Sequence, residues 1–189
     1  MALESVIDDI DALLLVWHPG TEGGNAVADL VSGDHSPSGH LTMCFPRCDG
    51  QIPIRYNHKN TGRPATGIGL KSLDNISKSF QSCYLLTPNS PLYSFGYGLS
   101  YTEFLYDSIE VLTPEVHAGE DVHVKVRVSN VGDADGATVA QLYLRDDVAS
   151  TTRPVRELKG FERVFLKSGE TAEIEFVITP EDMAFCRED

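Results

Sequence analysis

Pro91–Phe104 reads PLYSFGYGLSYTEF. Tyr93, Phe95, Tyr97, Tyr101 and Phe104, with Tyr106 just beyond, stand among Ser94, Gly96, Gly98 and Ser100. Aromatic rings bury large areas in specific packing geometries, and glycine permits backbone conformations closed to other residues. An aromatic knot of this kind can pin one domain against another. It also divides the chain by pattern: the sequence before it reads as α/β, the sequence after it as all-β.

Beyond the knot the hydrophobic period is two. Tyr106–Leu112, Val122–Ser129, Thr138–Arg145, Arg156–Leu166 and Ala172–Ile178 are predicted strands, separated by turn-forming stretches such as NVGDADG and KSGET. In VHVKVRVS, the alternation puts Val122, Val124, Val126 and Val128 on a core face and His123, Lys125 and Arg127 outward. Short strands at this spacing predict an immunoglobulin- or fibronectin type III-like sandwich. That architecture uses about seven strands, so with five the sandwich is expected to be truncated, its C-terminal strands missing.

Upstream, residues 2–10 suit a short helix. Ala12–Trp17, a continuous apolar run, then predicts a buried strand of a parallel sheet. His18-Pro19-Gly20-Thr21 breaks it. Ala26, Val27, Leu30 and Val31 recur at helical spacing, with Thr21 as N-cap, Glu22 in the first turn and Gly33 as the stop. Strand, turn and helix make half of a βαβ arrangement. A strand is expected near Leu41–Phe45, an ordered loop over Gly50–Pro64, and irregular, mobile chain over Gly67–Leu86. The expected division is 1–66, the C-terminal part of an incomplete parallel-sheet α/β sandwich domain; 67–104, linker and aromatic junction; and 105–189, the β-sandwich.

The 189 residues carry a net charge of −13. Residues 1–100 hold six Lys and Arg against nine Asp and Glu, and residues 101–189 hold nine against nineteen. An acidic chain of this kind lacks the clustered cations that nucleic acid or an anionic membrane surface requires, so neither is an expected partner. The N-terminal MALESVIDDIDALLL has acidic residues where a signal peptide has basic ones, and no apolar run is long enough to span a bilayer. Export of any longer parent is left open. Cys44, Cys48, Cys83 and Cys186 lack the paired spacing of a zinc site and read as free thiols, and no metal or cofactor is expected.

Two residues stand where chemistry could sit, at the strand-to-helix edge that binds ligands in open α/β sheets. Glu22 lies beside Gly20, Gly23 and Gly24, although a carboxylate there also complements a helix dipole. His18 could line a cleft, or simply bond locally beside Pro19. Both are weak cleft-edge candidates for substrate binding. The glycines match neither GxGxxG nor a P-loop, GLSYT is not a GxSxG elbow, and no complete pair of catalytic carboxyl groups can be assembled. No catalytic residue is assigned.

Three segments in order, HPGTEGGNAVADLVSGDHSPSGHLTMCFPR (18–47), GQIPIRYNHKNTGRP (50–64) and PLYSFGYGLSYTEF (91–104), resemble family 3 glycoside hydrolases. The segment from VRVSNVGDADG to SGETAEIEF resembles the fibronectin type III-like domain that ends many members. The resemblance implies a retaining exo-β-glycosidase, most often a β-glucosidase, acting on β-linked oligosaccharides or glycosides. It also implies an N-terminal barrel domain carrying the aspartate nucleophile and an upstream segment carrying the acid/base glutamate, both missing from this sequence. His18 stands where the family usually has a tyrosine or similar aromatic, and Ser94 where it has proline. A fragment of such an enzyme is expected to be inactive alone, supplying structure and a cleft wall. The alternative, from a different class, is a non-enzymatic carbohydrate-binding or adhesion module built on the sandwich.

Overall fold

A computed structural model describes residues 2–64, 80–84 and 87–186. The chain forms two compact units that interleave along the sequence. One comprises Met1–Leu14, Leu41–Tyr97 and Arg145–Glu157; the other comprises Leu15–His40, Gly98–Leu144 and Leu158–Asp189.

The first unit is built from loops. It holds single 3-10 turns at Ile7–Asp9 and Asp49–Gln51, a cis Ile52–Pro53 peptide, and isolated bridges between Phe45 and Tyr93 and between Lys59 and Pro154. The strand expected at Leu41–Phe45 is reduced to that Phe45 bridge and a few backbone bonds. Phe45 N–H donates to Tyr93 O at 2.8 Å, and Leu41 N–H to Tyr97 O at 2.8 Å. Two aromatic stacks line the same stretch, Tyr93 on Tyr97 at 5.0 Å and Tyr56 on Phe95 at 4.1 Å. Ordered aromatic packing here replaces regular secondary structure. Most of the expected irregular stretch Gly67–Leu86 lies outside the described residues.

The run Ala12–Trp17 divides between the two units, its first three residues in one and Leu15–Trp17 in the other. The strand expected there does not form: the run has no ladder partner among the described residues, and Leu13 is 51 % and Trp17 50 % exposed. An apolar parallel strand needs hydrogen-bonded neighbours on both sides, and the described residues supply none. Helix α1, Gly23–Ser32, follows as expected. Its N-cap is Glu22 rather than Thr21, and Gly33 ends it in the left-handed conformation (φ 84°) that glycine adopts without strain. Tyr101, in the second half of the knot, donates its hydroxyl to the Leu30 carbonyl at 2.7 Å, satisfying an acceptor in the last turn. Gly98 has no room for a side chain, since a Cβ there would lie 2.5 Å from the Gly39 carbonyl oxygen.

The sandwich strands fall within two residues of expectation: β1 Phe104–Val111, β2 Val122–Asn130, β3 Gly136–Leu144, β4 Glu157–Leu166 and β5 Thr171–Ile178. A final turn, α2 Pro180–Met183, was not foreseen; Thr179 and Asp182 close a capping box around it. The sheets are antiparallel β1-β2-β5 and the pair β3-β4. Val124, Val128, Ala140, Leu142, Leu166, Ile174, Phe176 and Ile178 form the core between them. Facing Cβ positions of β2 and β5 match, Val124 opposite Phe176 and Val126 opposite Ile174, so the predicted valine face is the core face. On the outer face, Lys125 and Arg127 pair with Glu173 at 3.4 Å each and His123 with Glu175 at 2.8 Å.

One part of that core face is uncovered. Directly opposed residues of an antiparallel pair share a face. Ile109 opposes Val126 and Val111 opposes Val124, so both point to the core side. A bulge between Tyr106 and Ser108 keeps Tyr106 on that side too. Yet Ile109 is 69 % and Val111 48 % exposed. The three-stranded sheet is wider than the pair of strands packed against it.

Candidate functional site

His18 and Glu22 both lie on the segment that leads into α1, and both are exposed. The local chain is set by Trp17 (φ 47°) and Gly20 (φ 71°), two left-handed residues that turn it sharply before the helix. Glu22 sits at the N-cap with no capping bond from its own side chain; its Oε2 accepts from Asn25 Nδ2 at 2.7 Å. The carboxylate is thereby held against the first turn, where the helix dipole favours it. No contact joins it to His18. The two candidates sit four residues apart in sequence without forming a site together.

The first unit holds a cleft that the sequence does not single out. It has a volume of about 280 Å³ and is lined by residues from three loops, among them Arg55, Tyr56, His58, Asn89, Ser94 and Arg156. Gln51, 1 % exposed, positions two of these loops. Its Oε1 accepts from Arg47 N–H at 2.6 Å, and its Nε2 donates to Pro88 O at 2.7 Å and Ser90 O at 3.3 Å. The third loop is tied in by Val155 N–H donating to His58 O at 2.9 Å. A buried amide with all its polar atoms bonded makes a rigid joint. Only the breaker-rich loop over residues 50–64 hinted at this region; the contribution of residues 154–156 comes from distant sequence.

Neither place assembles a catalytic pair of carboxyl groups. Among the described residues the Glu22 carboxylate bonds Asn25, and no Asp or Glu lines the cleft. Among the described residues no three His, Cys, Asp or Glu side chains cluster as metal ligands, and no helix is long and apolar enough to cross a membrane.

Comparison with known proteins gives the chain its lineage. Residues 138–189 match the fibronectin type III-like domain. The chain is 44 % identical over 185 residues to a periplasmic β-glucosidase of Salmonella typhimurium, covering 98 % of this chain and 23 % of that protein. It is 35 % identical to a β-xylosidase of Formosa agariphila over 100 % of its own length and 24 % of the relative's. A β-glucosidase of Listeria innocua, solved with laminaribiose, superposes with a TM-score of 0.88 at 44 % identity, covering all of this chain and 25 % of that one. The chain thus spans about a quarter of the length of the relatives it matches. Residues 1–101 match the glycosyl hydrolase family 3 C-terminal domain, and the chain belongs to that family.

Proposed function

We propose that this chain is the C-terminal part of a retaining exo-β-glycosidase that removes terminal β-linked sugars, a β-glucosidase in the first instance. The observation that carries the reading is the 44 % identity, across nearly the whole chain, to a periplasmic β-glucosidase of which it spans 23 %. Retaining hydrolysis needs two carboxyl groups about 5 Å apart flanking the glycosidic bond. On this reading both groups belong to a barrel domain and an upstream segment outside this sequence, as the resemblance to family 3 enzymes implies. What this chain contributes is architecture: the end of an α/β domain over 1–66, a junction over 67–104, and a fibronectin type III-like domain over 105–189. His18 and Glu22 stand at the edge of the cleft that the barrel completes. The unpaired run Ala12–Trp17 takes its place in a sheet whose other strands lie in the parent. Two further strands cover Ile109 and Val111.

A stand-alone adhesion or carbohydrate-binding module would explain the sandwich but not why residues 1–101 match a hydrolase domain. The test is an aryl β-glucoside assay on the purified chain. Release of the aryl group should not exceed the buffer rate. Turnover that co-purifies with the chain and survives heterologous expression in a glucosidase-deficient host would overturn the reading.

A further inference from the structure

A groove of about 280 Å³ lies within the second unit, where the chain beyond α1, the second half of the aromatic knot and the starts of β1 and β3 meet. Leu99 and Phe104 give it apolar surface, and Ser38, Ser100, Glu103 and Tyr106 give it polar groups. Among the described residues no Lys or Arg lines it. The frame is closely packed. A Cβ on Gly136 would lie 2.8 Å from Thr102 Cγ2, so β3 starts hard against the knot. The Thr102 hydroxyl is held by buried Asn130 at 2.6 Å, and Arg163 on β4 donates its Nε–H to the Ser38 hydroxyl at 3.3 Å. A ligand entering a groove held in this way does not have to order its walls.

The hydroxyl groups carry more protons than their mutual bonds use. Each has one proton and two lone pairs. Tyr106 and Thr138 share a single bond at 3.2 Å, so among the described residues one of their two protons is left to donate. Burial pushes the Tyr106 phenol up by more than the Thr138 bond lowers it, which keeps the phenol protonated. Ser36 and Ser100 also share a single bond, at 2.8 Å, and each already accepts a backbone N–H, from Tyr101 at 3.1 Å and from Thr102 at 3.4 Å. One proton is again left over. Glu103 is exposed and adds a carboxylate, an acceptor with two oxygens. Spare hydroxyl donors, a carboxylate acceptor and apolar surface in one groove complement a sugar ring, whose hydroxyls donate and accept and whose C–H faces are apolar. The volume falls just below the range of about 300–1,000 Å³ common for ligand pockets, which suits one or two rings. With no lining cation among the described residues, the groove offers an anion no charge-assisted donor.

We propose that this groove binds a neutral pyranose sugar. The Glu103 carboxylate accepts from two adjacent sugar hydroxyls, the Tyr106–Thr138 and Ser36–Ser100 pairs donate to others, and Leu99 and Phe104 meet the C–H surface. Sugar binding here is independent of the hydrolase reading, because it needs no turnover. Each bond to the sugar replaces one to water, so affinity is expected in the millimolar range.

The test is an NMR titration of the whole chain, following backbone amides, with methyl β-glucoside and cellobiose as probes. Cyclohexanol, cyclohexylammonium and inorganic phosphate are the controls. Saturable shifts at Ser100, Glu103 and Tyr106 are expected with both sugars and with none of the controls. Glu103→Gln should weaken sugar binding at least about three-fold, because charge-assisted bonds become neutral ones. Tyr106→Phe removes the hydroxyl and keeps the ring; it should weaken binding at least about two-fold, and it carries the comparison if Glu103→Gln does not fold. Glu115→Gln, a change at an exposed carboxylate outside the groove, should leave binding unchanged. Cellobiose binding more tightly than methyl β-glucoside places two rings in the groove, and cellobiose binding no more tightly places one. Both support the site. Shifts that never saturate, that appear equally with any of the three controls, or that persist undiminished in Glu103→Gln and Tyr106→Phe would overturn it.

Discussion

Asn130 shows how one residue can tie a domain together. It is 1 % exposed, at the end of β2. Its Oδ1 accepts from the Thr102 hydroxyl at 2.6 Å and from Gly132 N–H at 3.2 Å, while its Nδ2 donates to Ala134 O at 2.8 Å and Leu166 O at 3.1 Å. One amide therefore joins the aromatic junction, the β2–β3 turn and the end of β4. Removing it strands several buried partners, each costing about 1–3 kcal/mol. Asn130→Ala is expected to lower stability by about 2–4 kcal/mol, read as a fall in the urea midpoint with the slope unchanged; a loss below about 0.5 kcal/mol would contradict this role. Nothing in the sequence marks Asn130, because the turn NVGDADG attracts asparagine for local reasons alone. Burial of its side chain depends on Thr102 and Leu166, remote in sequence.

At the scale of elements, the sandwich was legible and the sheet edge was not. Strict alternation in Val122–Val128 determines which side faces the core, because a one-residue slip would expose every valine. Ala12–Trp17 shows the limit of the same reasoning. Its composition states that it prefers burial, but whether it pairs depends on strands that must be present beside it. Cys44, Arg55 and Arg156 come together through loop geometry, for which sequence holds no periodic trace, so the cleft was invisible in advance. The uncovered core face gives a sharp test. Ile109 and Ile174 lie on the same side of one sheet, the first 69 % exposed and the second in the core. Ile174→Ala should cost about 2–5 kcal/mol, whereas Ile109→Ala should cost under about 0.5 kcal/mol. Equal losses in chemical denaturation would show that β1 is covered in the isolated chain.

Across the whole molecule, charge sets the response to pH. Hydrogen bonds from Lys125 and then Arg127 hold the Glu173 carboxyl below its usual range, and the Thr179 backbone N–H, with its hydroxyl, does the same for Asp182. A carboxyl with a depressed folded-state pKa stabilises the fold above its unfolded-state value, near 4. That contribution is lost as pH falls through the folded-state value. The urea midpoint should therefore fall as the pH is lowered below about 5, through and beyond the unfolded-state carboxyl range, and fall less in Glu173→Gln. An identical decline in both proteins would remove Glu173 from the account.

The central claim is that this chain is the structural C-terminal quarter of a family 3 β-glycosidase whose reacting carboxyl groups lie elsewhere. The most direct measurement replaces the matching quarter of the Salmonella typhimurium β-glucosidase with these 189 residues and assays aryl β-glucoside hydrolysis. The chimera should turn over substrate, the parent lacking that quarter should not, and this chain alone should not. A folded chimera with no activity, or activity from the chain by itself, would contradict the account.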